Sequence, residues 1–258
     1  MPEGDTVYRT AKNLHLALAG QELVRCDIRV PAFATVDLSG TVVDEVVSRG
    51  KHLLIRVAEF TIHSHLKMEG SWHVYQHGTK WRRPTWQARA ILANDERVAV
   101  GFQLGLLEVV ARASEAEIVG HLGPDPLGPD WDADEAVRRL TAEPGREIGL
   151  ALLDQRVIAG LGNVYRNELC FLSGVLPTRP VGEVDTPLAM MRLAHRLINA
   201  NKDRVDRTTT GTLRGATDWV YRRDRHACYR CGTTILRGSL GDNDRELRNT
   251  FWCPRCQT

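Results

Sequence analysis

The chain has 258 residues, 43% of them hydrophobic and 26% charged, and a formal net charge of +2. This composition is typical of a globular protein, and no apolar run reaches the roughly 18 residues that a membrane span needs. The first ten residues, MPEGDTVYRT, lack the apolar stretch of a signal peptide. We therefore expect a cytoplasmic protein, in which clustered cysteines are metal ligands rather than disulfides.

The charge is unevenly distributed along the chain. Residues 202–258 carry 12 basic and 7 acidic side chains, whereas residues 1–130 carry 14 and 16. Of the 34 basic residues, 29 are arginine. Arginine suits bidentate contacts with phosphate, although a GC-rich genome would explain the same bias.

The predicted elements begin with one helix, followed by a series of strands. Four apolar residues recur at helical spacing: Val7, Ala11, Leu14 and Leu18. Asp5 or Thr6 would cap this helix, and Gly20 would end it. From residue 22 to about 112, short β-branched runs alternate with Gly, Pro, Asp or Asn. This pattern indicates a β-sandwich or barrel.

The second half of the chain reads as helical until its cysteine-rich end. Residues 123–132, GPDPLGPDWD, are rich in turn-forming residues and predict a linker. Residues 133–224 contain several helical patterns, and residues 225–258 hold four of the six cysteines. We therefore expect four parts: residues 1–122, the linker 123–132, residues 133–224 and residues 225–258.

The cysteines of the last part form two pairs with the same spacing. They are Cys228 with Cys231 and Cys253 with Cys256. Two C-x-x-C knuckles are typical of a structural zinc site, in which four thiolates leave no position for a reactive water. A pair of redox dithiols is the alternative. Cys26 and Cys170 lie in apolar surroundings and are expected to be core residues.

Two further features indicate contact with an anion. The segment between the knuckles reads as a β-hairpin that presents arginines, among them Arg248, to nucleic acid or to a protein partner. Gly160 and Gly162 predict a tight turn before a helix that starts at Asn163. Backbone amides at such a helix start form an anion site, for which phosphate is the natural ligand.

Several motifs in one order resemble the formamidopyrimidine-DNA glycosylase / endonuclease VIII family. They are the start Pro2-Glu3-Gly4, GKHLL at 50–54, HLKMEG at 65–70, GPDPL at 123–127, GLGNVY at 160–165 and the paired knuckles. The resemblance covers essentially the whole chain, and the Pro-Glu-Gly start is more similar to the endonuclease VIII branch.

The resemblance implies a bifunctional DNA glycosylase and AP lyase of base-excision repair. Pro2, once Met1 is removed, would attack C1′ of the damaged nucleotide and form a Schiff base. Glu3 would transfer protons, and Lys51 would bind phosphate near the lesion. Strand cleavage would follow by β- or β,δ-elimination. The alternative is a catalytically weak relative that binds damaged DNA.

The resemblance also implies DNA-binding residues in both halves of the chain. Met68 would fill the space left by the flipped base. Asn163, in a helix–two-turn–helix motif, and Arg248, on the zinc-finger hairpin, would hold backbone phosphates. Glu168 matches a family glutamate after the glycine turn, and a buried helix-capping or network carboxylate is the alternative explanation.

Two departures from the family pattern bear on specificity. The segment GFQLG at 101–105 lacks the Arg and Phe that many family members carry on this loop. Leu104 is the remaining candidate for a second wedge, a side chain that, like Met68, would insert between the bases. Asp5-Thr6 replaces the usual Pro-Glu, which disfavours 8-oxoguanine and favours oxidised pyrimidines.

The expected fold is therefore α+β: an N-terminal β-sandwich catalytic domain with a flanking helix, a helix–two-turn–helix domain and a zinc-finger β-hairpin. The expected partners are damaged and abasic-site DNA bound between the two halves. The protein would be a nucleoid-associated bacterial monomer.

Overall fold

The structure is a computed structural model that describes residues 2–244 and 246–258. The chain forms two compact units, which divide between His121 and Leu122. No helix in the described part of the chain is both long enough and apolar enough to span a membrane.

The first unit contains two helices and eight antiparallel strands. The helices are α1 (Gly4–Leu18) and α2 (Glu115–Val119). The strands are β1 (Arg25–Ile28), β2 (Val43–Arg49), β3 (His52–Val57), β4 (Phe60–His65), β5 (Ser71–Gln76), β6 (Ala88–Ala93), β7 (Arg97–Phe102) and β8 (Leu106–Ala111). They form two four-stranded sheets, ordered β2-β3-β4-β8 and β1-β6-β7-β5.

One hydrophobic core joins both sheets to helix α1. Leu14 of α1, Ile55 of β3 and Leu92 of β6 are all fully buried members of it. Burial of such side chains supplies the main stabilisation of the unit. The arrangement confirms the predicted β-sandwich with a flanking helix.

Helix α1 begins earlier than its sequence suggested. It starts at Gly4 with Glu3 in the N-cap position, so Asp5 and Thr6 lie inside the first turn. There, Asp5 Oδ1 accepts a hydrogen bond from the amide of Thr6 at 2.7 Å. The predicted N-cap was wrong by two to three residues. The helix does end before Gly20, whose φ of +74° turns the chain back.

Strand β4 is buried on both faces. Ile62 and Ser64 face the sandwich core, while Thr61 and His63 lie on the opposite face, and each is at most 1% exposed. Residues 60–63, FTIH, alternate apolar and polar side chains, which is typical of a strand with one face in solvent, so the burial of the second face could not be predicted.

The second unit begins as a helical domain. Its helices are α3 (Ala133–Leu140), α4 (Ile148–Ala151), α5 (Asn163–Leu172) and α6 (Pro187–Asn201). Ala136, Tyr165 and Met191 are among the buried residues that join these helices in one core. The helical domain is confirmed, although residues 202–224 form turns without a helix.

The segment expected to be a linker starts inside the second unit. Residues 122–126 are buried. The amide of Gly123 donates to Gln155 at 2.9 Å, and that of Ala159 donates to Pro124 at 3.1 Å. A Cβ on Gly123 would lie 2.5 Å from the carbonyl oxygen of Val157, so this close packing requires glycine.

The C-terminal part forms the predicted β-hairpin. Strands β9 (Leu236–Leu240) and β10 (Arg248–Trp252) pair antiparallel. A small core of Phe171, Val220, Ile235 and Phe251, together with cysteines, joins the hairpin to helix α5.

Candidate functional site

The N-terminus and Lys51 lie at the same end of the first unit. The amide of Gly20 donates to Val43 of β2, and His15 Nδ1 accepts from the amide of Val46 at 3.2 Å. Helix α1 therefore runs antiparallel to β2. From His15 the helix extends back about 16 Å to Gly4, and from Val46 the strand advances about 16 Å to Lys51.

The two residues at this helix start differ in exposure. Glu3 is fully buried, whereas Pro2 is half-buried. The carbonyl of Glu3 accepts from the amides of Thr6 at 3.0 Å and Val7 at 3.1 Å. These hydrogen bonds fix the Glu3 backbone beside Pro2. The two-residue turn Gly50–Lys51, which joins β2 to β3, lies at the same end of the unit.

A hydrogen-bonded network of His52, His63 and Glu108 follows Lys51. His52 Nδ1 lies 2.8 Å from His63 Nε2, and His63 Nδ1 lies 2.7 Å from Glu108 Oε1. His63 therefore links His52 to Glu108 through its two ring nitrogens. The sequence patterns did not predict this hydrogen-bond network, although His52 and the pair His63-x-His65 are visible in the sequence.

The histidines next to Lys51 are neutral near pH 7. Burial, followed by the charge of His63, lowers the pKa of His52 to about 3. Burial, followed by the charges of Lys67 and Lys51, lowers the pKa of His65 to about 4. His52 and His65 therefore add no positive charge beside Lys51 and Lys67.

Met68 lies at the tip of a tight turn between β4 and β5. Its side chain is 57% exposed. The amide of Gly70 donates to Leu66 at 2.9 Å, and a Cβ on Gly70 would lie 2.4 Å from the same carbonyl oxygen. The turn therefore requires glycine and presents a long apolar side chain to solvent.

Leu104 is not a second wedge. It is 8% exposed and belongs to the core of the first unit. A Cβ on Gly101 would lie 2.7 Å from Leu104 Cδ1. The expectation that Leu104 could enter DNA was wrong, because its side chain fills the sandwich instead.

Asn163 joins the glycine turn to the C-terminal hairpin. Its Nδ2 donates to the carbonyl of Asn249 at 2.9 Å, and the side chain is buried. Gly160, with a φ of +88°, turns the chain into α5, and its amide donates to Gln155 Oε1 at 3.0 Å. Asn249 follows the exposed Arg248, so the predicted phosphate ligands Asn163 and Arg248 are brought together.

Two more residues of α5 hold strand β10. The guanidinium of the fully buried Arg166 donates to Asn163 Oδ1 and, at 2.8 Å, to Thr250 Oγ1. Asn167 Oδ1 accepts from the amide of Phe251 at 2.7 Å. Sequence reasoning missed both residues, because their partners lie more than 80 positions away.

Glu168 organises the chain before the knuckles. Its carboxylate is fully buried and accepts from the hydroxyl of Thr209 and from the amides of Trp219, Val220 and Tyr221, the amides at 2.8–2.9 Å. Burial raises the pKa of Glu168, and these donors oppose the rise. Of the two roles considered, the structure supports the buried network.

The four knuckle cysteines form a cluster that could hold a metal ion. The sulfurs of Cys228, Cys231, Cys253 and Cys256 all lie within 4.8 Å of one another. Cys231 Sγ is 3.4 Å from Cys253 Sγ, and Cys228 Sγ is 4.0 Å from Cys256 Sγ. Tetrahedral zinc with bonds of about 2.3 Å needs sulfurs roughly 3.8 Å apart, so the cluster has a suitable size.

The predicted site residues thus fall into two groups. Pro2, Glu3, Lys51 and Met68 belong to the first unit. Asn163, Arg248 and the four cysteines belong to the second.

Two family models match the chain, one in each of the two units. The formamidopyrimidine-DNA glycosylase N-terminal domain matches residues 1–103, and the H2TH domain of the same glycosylase matches residues 122–213. A probable endonuclease 8 2 of Streptomyces coelicolor is 53% identical over all of this chain and 94% of its own length. The DNA-(apurinic or apyrimidinic site) lyase Nei2 of Mycolicibacterium smegmatis is 51% identical over all of this chain and 99% of its own length.

Solved structures share the fold. A complex of the LlFpg protein with THF-DNA and an inhibitor has a TM-score of 0.82 at 20% identity and covers both chains completely. The Lactococcus lactis Fpg with abasic-site DNA has a TM-score of 0.80 at 20% identity, over 99% of each chain. These matches confirm the predicted resemblance: the chain belongs to the formamidopyrimidine-DNA glycosylase family, among its endonuclease 8 relatives.

Proposed function

We propose that this chain is a bifunctional DNA glycosylase and AP lyase that removes oxidised bases, pyrimidines in particular, and cleaves the strand at the resulting site. The observation that carries the proposal is 51–53% identity over the whole chain to relatives named as endonuclease 8 and as an AP lyase. A family protein of this kind acts on damaged and abasic-site DNA in base-excision repair.

Pro2 is the proposed nucleophile. After removal of Met1, its secondary amine would bond to C1′ while the glycosidic bond breaks and the base departs. An α-amino group has a pKa near ~8, so a useful neutral fraction exists at pH 7. The iminium then acidifies C2′. Loss of that proton breaks the C3′–O bond and releases the 3′ phosphate (β-elimination), and δ-elimination can follow.

Glu3 and Lys51 are the proposed assistants of this reaction. Glu3 would protonate the ring oxygen of the deoxyribose as the base leaves. Glu3 is buried beside Pro2, which suits a carboxyl group that must exchange protons with this one oxygen atom. Lys51 would bind a phosphate at the same end of the unit. The neutral histidines around it support this role, because they do not compete for the anion.

Met68, Asn163 and Arg248 are the proposed DNA ligands. The exposed side chain of Met68 would enter the stack where the damaged nucleotide has left. Arg248 would contact a backbone phosphate beside the turn at Gly160. The bond from Asn163 to Asn249 supports a joint role for the turn and the hairpin.

The cysteine cluster is proposed to hold one structural zinc ion. Cys228, Cys231, Cys253 and Cys256 fill all four positions of a tetrahedral ion, so zinc there would supply folding energy to the hairpin and no reactive water.

The test uses duplexes that each carry a single abasic site, thymine glycol, 5-hydroxycytosine or 8-oxoguanine. We expect nicking of the abasic duplex and release of the oxidised pyrimidines, both lost in Pro2→Ala and Glu3→Gln proteins. Binding of the same duplexes without any nicking would instead establish the alternative, a catalytically weak damage-binding relative.

A further inference from the structure

The loop between β5 and β6 is basic and carries two tryptophans. Residues 70–94 contain Lys80, Arg82, Arg83 and Arg89 and no acidic residue. No predicted site residue lies in this loop, and the proposed function does not use it. A run of cations without acids creates a local positive potential that attracts anions.

The two tryptophans of the loop have opposite environments. Trp81 is half-buried against Tyr75 and Phe102, with ring centroids 6.4 and 5.9 Å away, and it anchors the loop on the outer face of its sheet. Trp86 is 78% exposed. The anchor therefore fixes a loop whose second indole faces solvent.

The basic side chains surround an open cavity of about 540 Å³, lined by residues 79–85. Lys80 and Arg82 are exposed. Burial, followed by the charges of Arg82 and Arg83, lowers the pKa of His73 on the adjacent strand β5. The two arginines therefore lie close enough to the sheet beneath to act on His73.

Arg83 connects the loop to the turn that carries Met68. Its Nη1 donates to the carbonyl of Glu69, next to Met68, at 3.2 Å and to the side-chain oxygen of Gln103. Gln103 has a φ of +45° and its amide donates to Gln87 at 2.9 Å. Three loops are thus bonded together, and Arg83 ties the basic loop to the residue next to the exposed methionine.

We propose that Lys80, Arg82 and Trp86 form a second DNA-binding surface, in which the two cations neutralise backbone phosphates and the indole packs on a base or deoxyribose of the same DNA. Charge complementarity and continuity with the Met68 turn favour DNA over an acidic protein. An exposed tryptophan among cations is the usual composition of a nucleic-acid surface.

The surface rests on the proposed function, since it extends the contact that Met68 makes with DNA. Experiment can distinguish failure of this surface from failure of the proposed function. Loss of this surface weakens binding and leaves the reaction at saturating enzyme unchanged, whereas failure of the proposed function removes nicking from the wild-type protein.

The test measures the dissociation constant for an abasic duplex across a range of salt concentrations. Each phosphate contact contributes about 0.9 to the slope of log K against log salt. The Lys80→Gln/Arg82→Gln protein should therefore lose about two units of slope. Trp86→Ala should weaken binding about tenfold without changing the slope, because stacking releases no counterions.

Arg138→Gln/Arg192→Gln is the control, because it removes two exposed cations from helices α3 and α6. It should keep the wild-type slope. An unchanged slope in Lys80→Gln/Arg82→Gln, or wild-type affinity in Trp86→Ala, overturns the proposal. Equal slope changes in the control and the loop variant also overturn it, since net charge alone would then explain the effect.

Discussion

The side chain of Asn163 donates a hydrogen bond of 2.9 Å to the backbone carbonyl of Asn249, 86 residues further along the chain. The first residue starts helix α5 after the glycine turn, and the second follows Arg248 at the start of strand β10. This amide group, together with Arg166 and Asn167, holds the C-terminal hairpin against helix α5. Two proposed phosphate-binding residues, Asn163 and Arg248, are thereby brought together although they lie far apart in the sequence.

Replacing Asn163 by alanine should separate these two features. The change removes the donor to Asn249 and the acceptor for Arg166. A single hydrogen bond contributes about 1 kcal/mol, so affinity for an abasic duplex should fall roughly fivefold. Asn199→Ala is the control, because Asn199 Nδ2 bonds Pro126 and His195, away from β10. Equal losses of affinity in both variants would mean that Asn163 contributes only to stability.

Glu168→Gln should destabilise the second unit. The neutral amide is a weaker acceptor for the three backbone amides of residues 219–221, and its NH2 group faces donors that it cannot satisfy. We expect a loss of about 1–3 kcal/mol in the free energy of unfolding, measured by urea titration. If Glu168→Gln instead kept full stability and lost base excision, the carboxylate would have a catalytic role.

Chelation under reducing conditions should release one zinc ion per chain and weaken DNA binding. Few apolar side chains hold the hairpin, so the metal supplies much of its folding energy. Cys228→Ser should reproduce the loss, while Cys26→Ser, outside the cluster, should not. Full activity in protein shown by metal analysis to be free of zinc would make the finger dispensable.

Stability should fall as the pH is lowered below 6.5. The pKa of His52 is about 3 in the folded chain, below its ordinary value of 6.5. The unfolded chain therefore binds the extra proton between these values, which stabilises it relative to the folded chain by about 2 kcal/mol at pH 5. His52→Phe should lose that part of the pH dependence, measured by urea unfolding at pH 5 and 7.5. His77→Phe, at an exposed position, should keep it.

The sequence predicts those features that short-range patterns encode. Apolar spacing identified helix α1, and the two C-x-x-C pairs identified the cysteine cluster, because each depends on residues close together in the chain. Motif order identified Pro2, Glu3 and Lys51 as candidates.

Contacts between distant residues could not be predicted in this way. The three amides bound by Glu168 lie more than 50 positions from it, and the Glu108 partner of His63 lies 45 positions away. No local pattern specifies such pairs. Leu104 shows the converse, since its position in a motif-like segment did not reveal that it packs in the core.

The most direct test of the account is to identify the atom that bonds to DNA. The wild-type protein, with Met1 removed, is incubated with an abasic duplex and reduced with borohydride, and the adduct is digested and mapped by mass spectrometry. The account predicts that the deoxyribose mass lies on the N-terminal peptide, at Pro2, and that a retained N-terminal tag prevents the adduct. An adduct on Lys51 or another lysine, or undiminished trapping by Pro2→Ala protein, would contradict it.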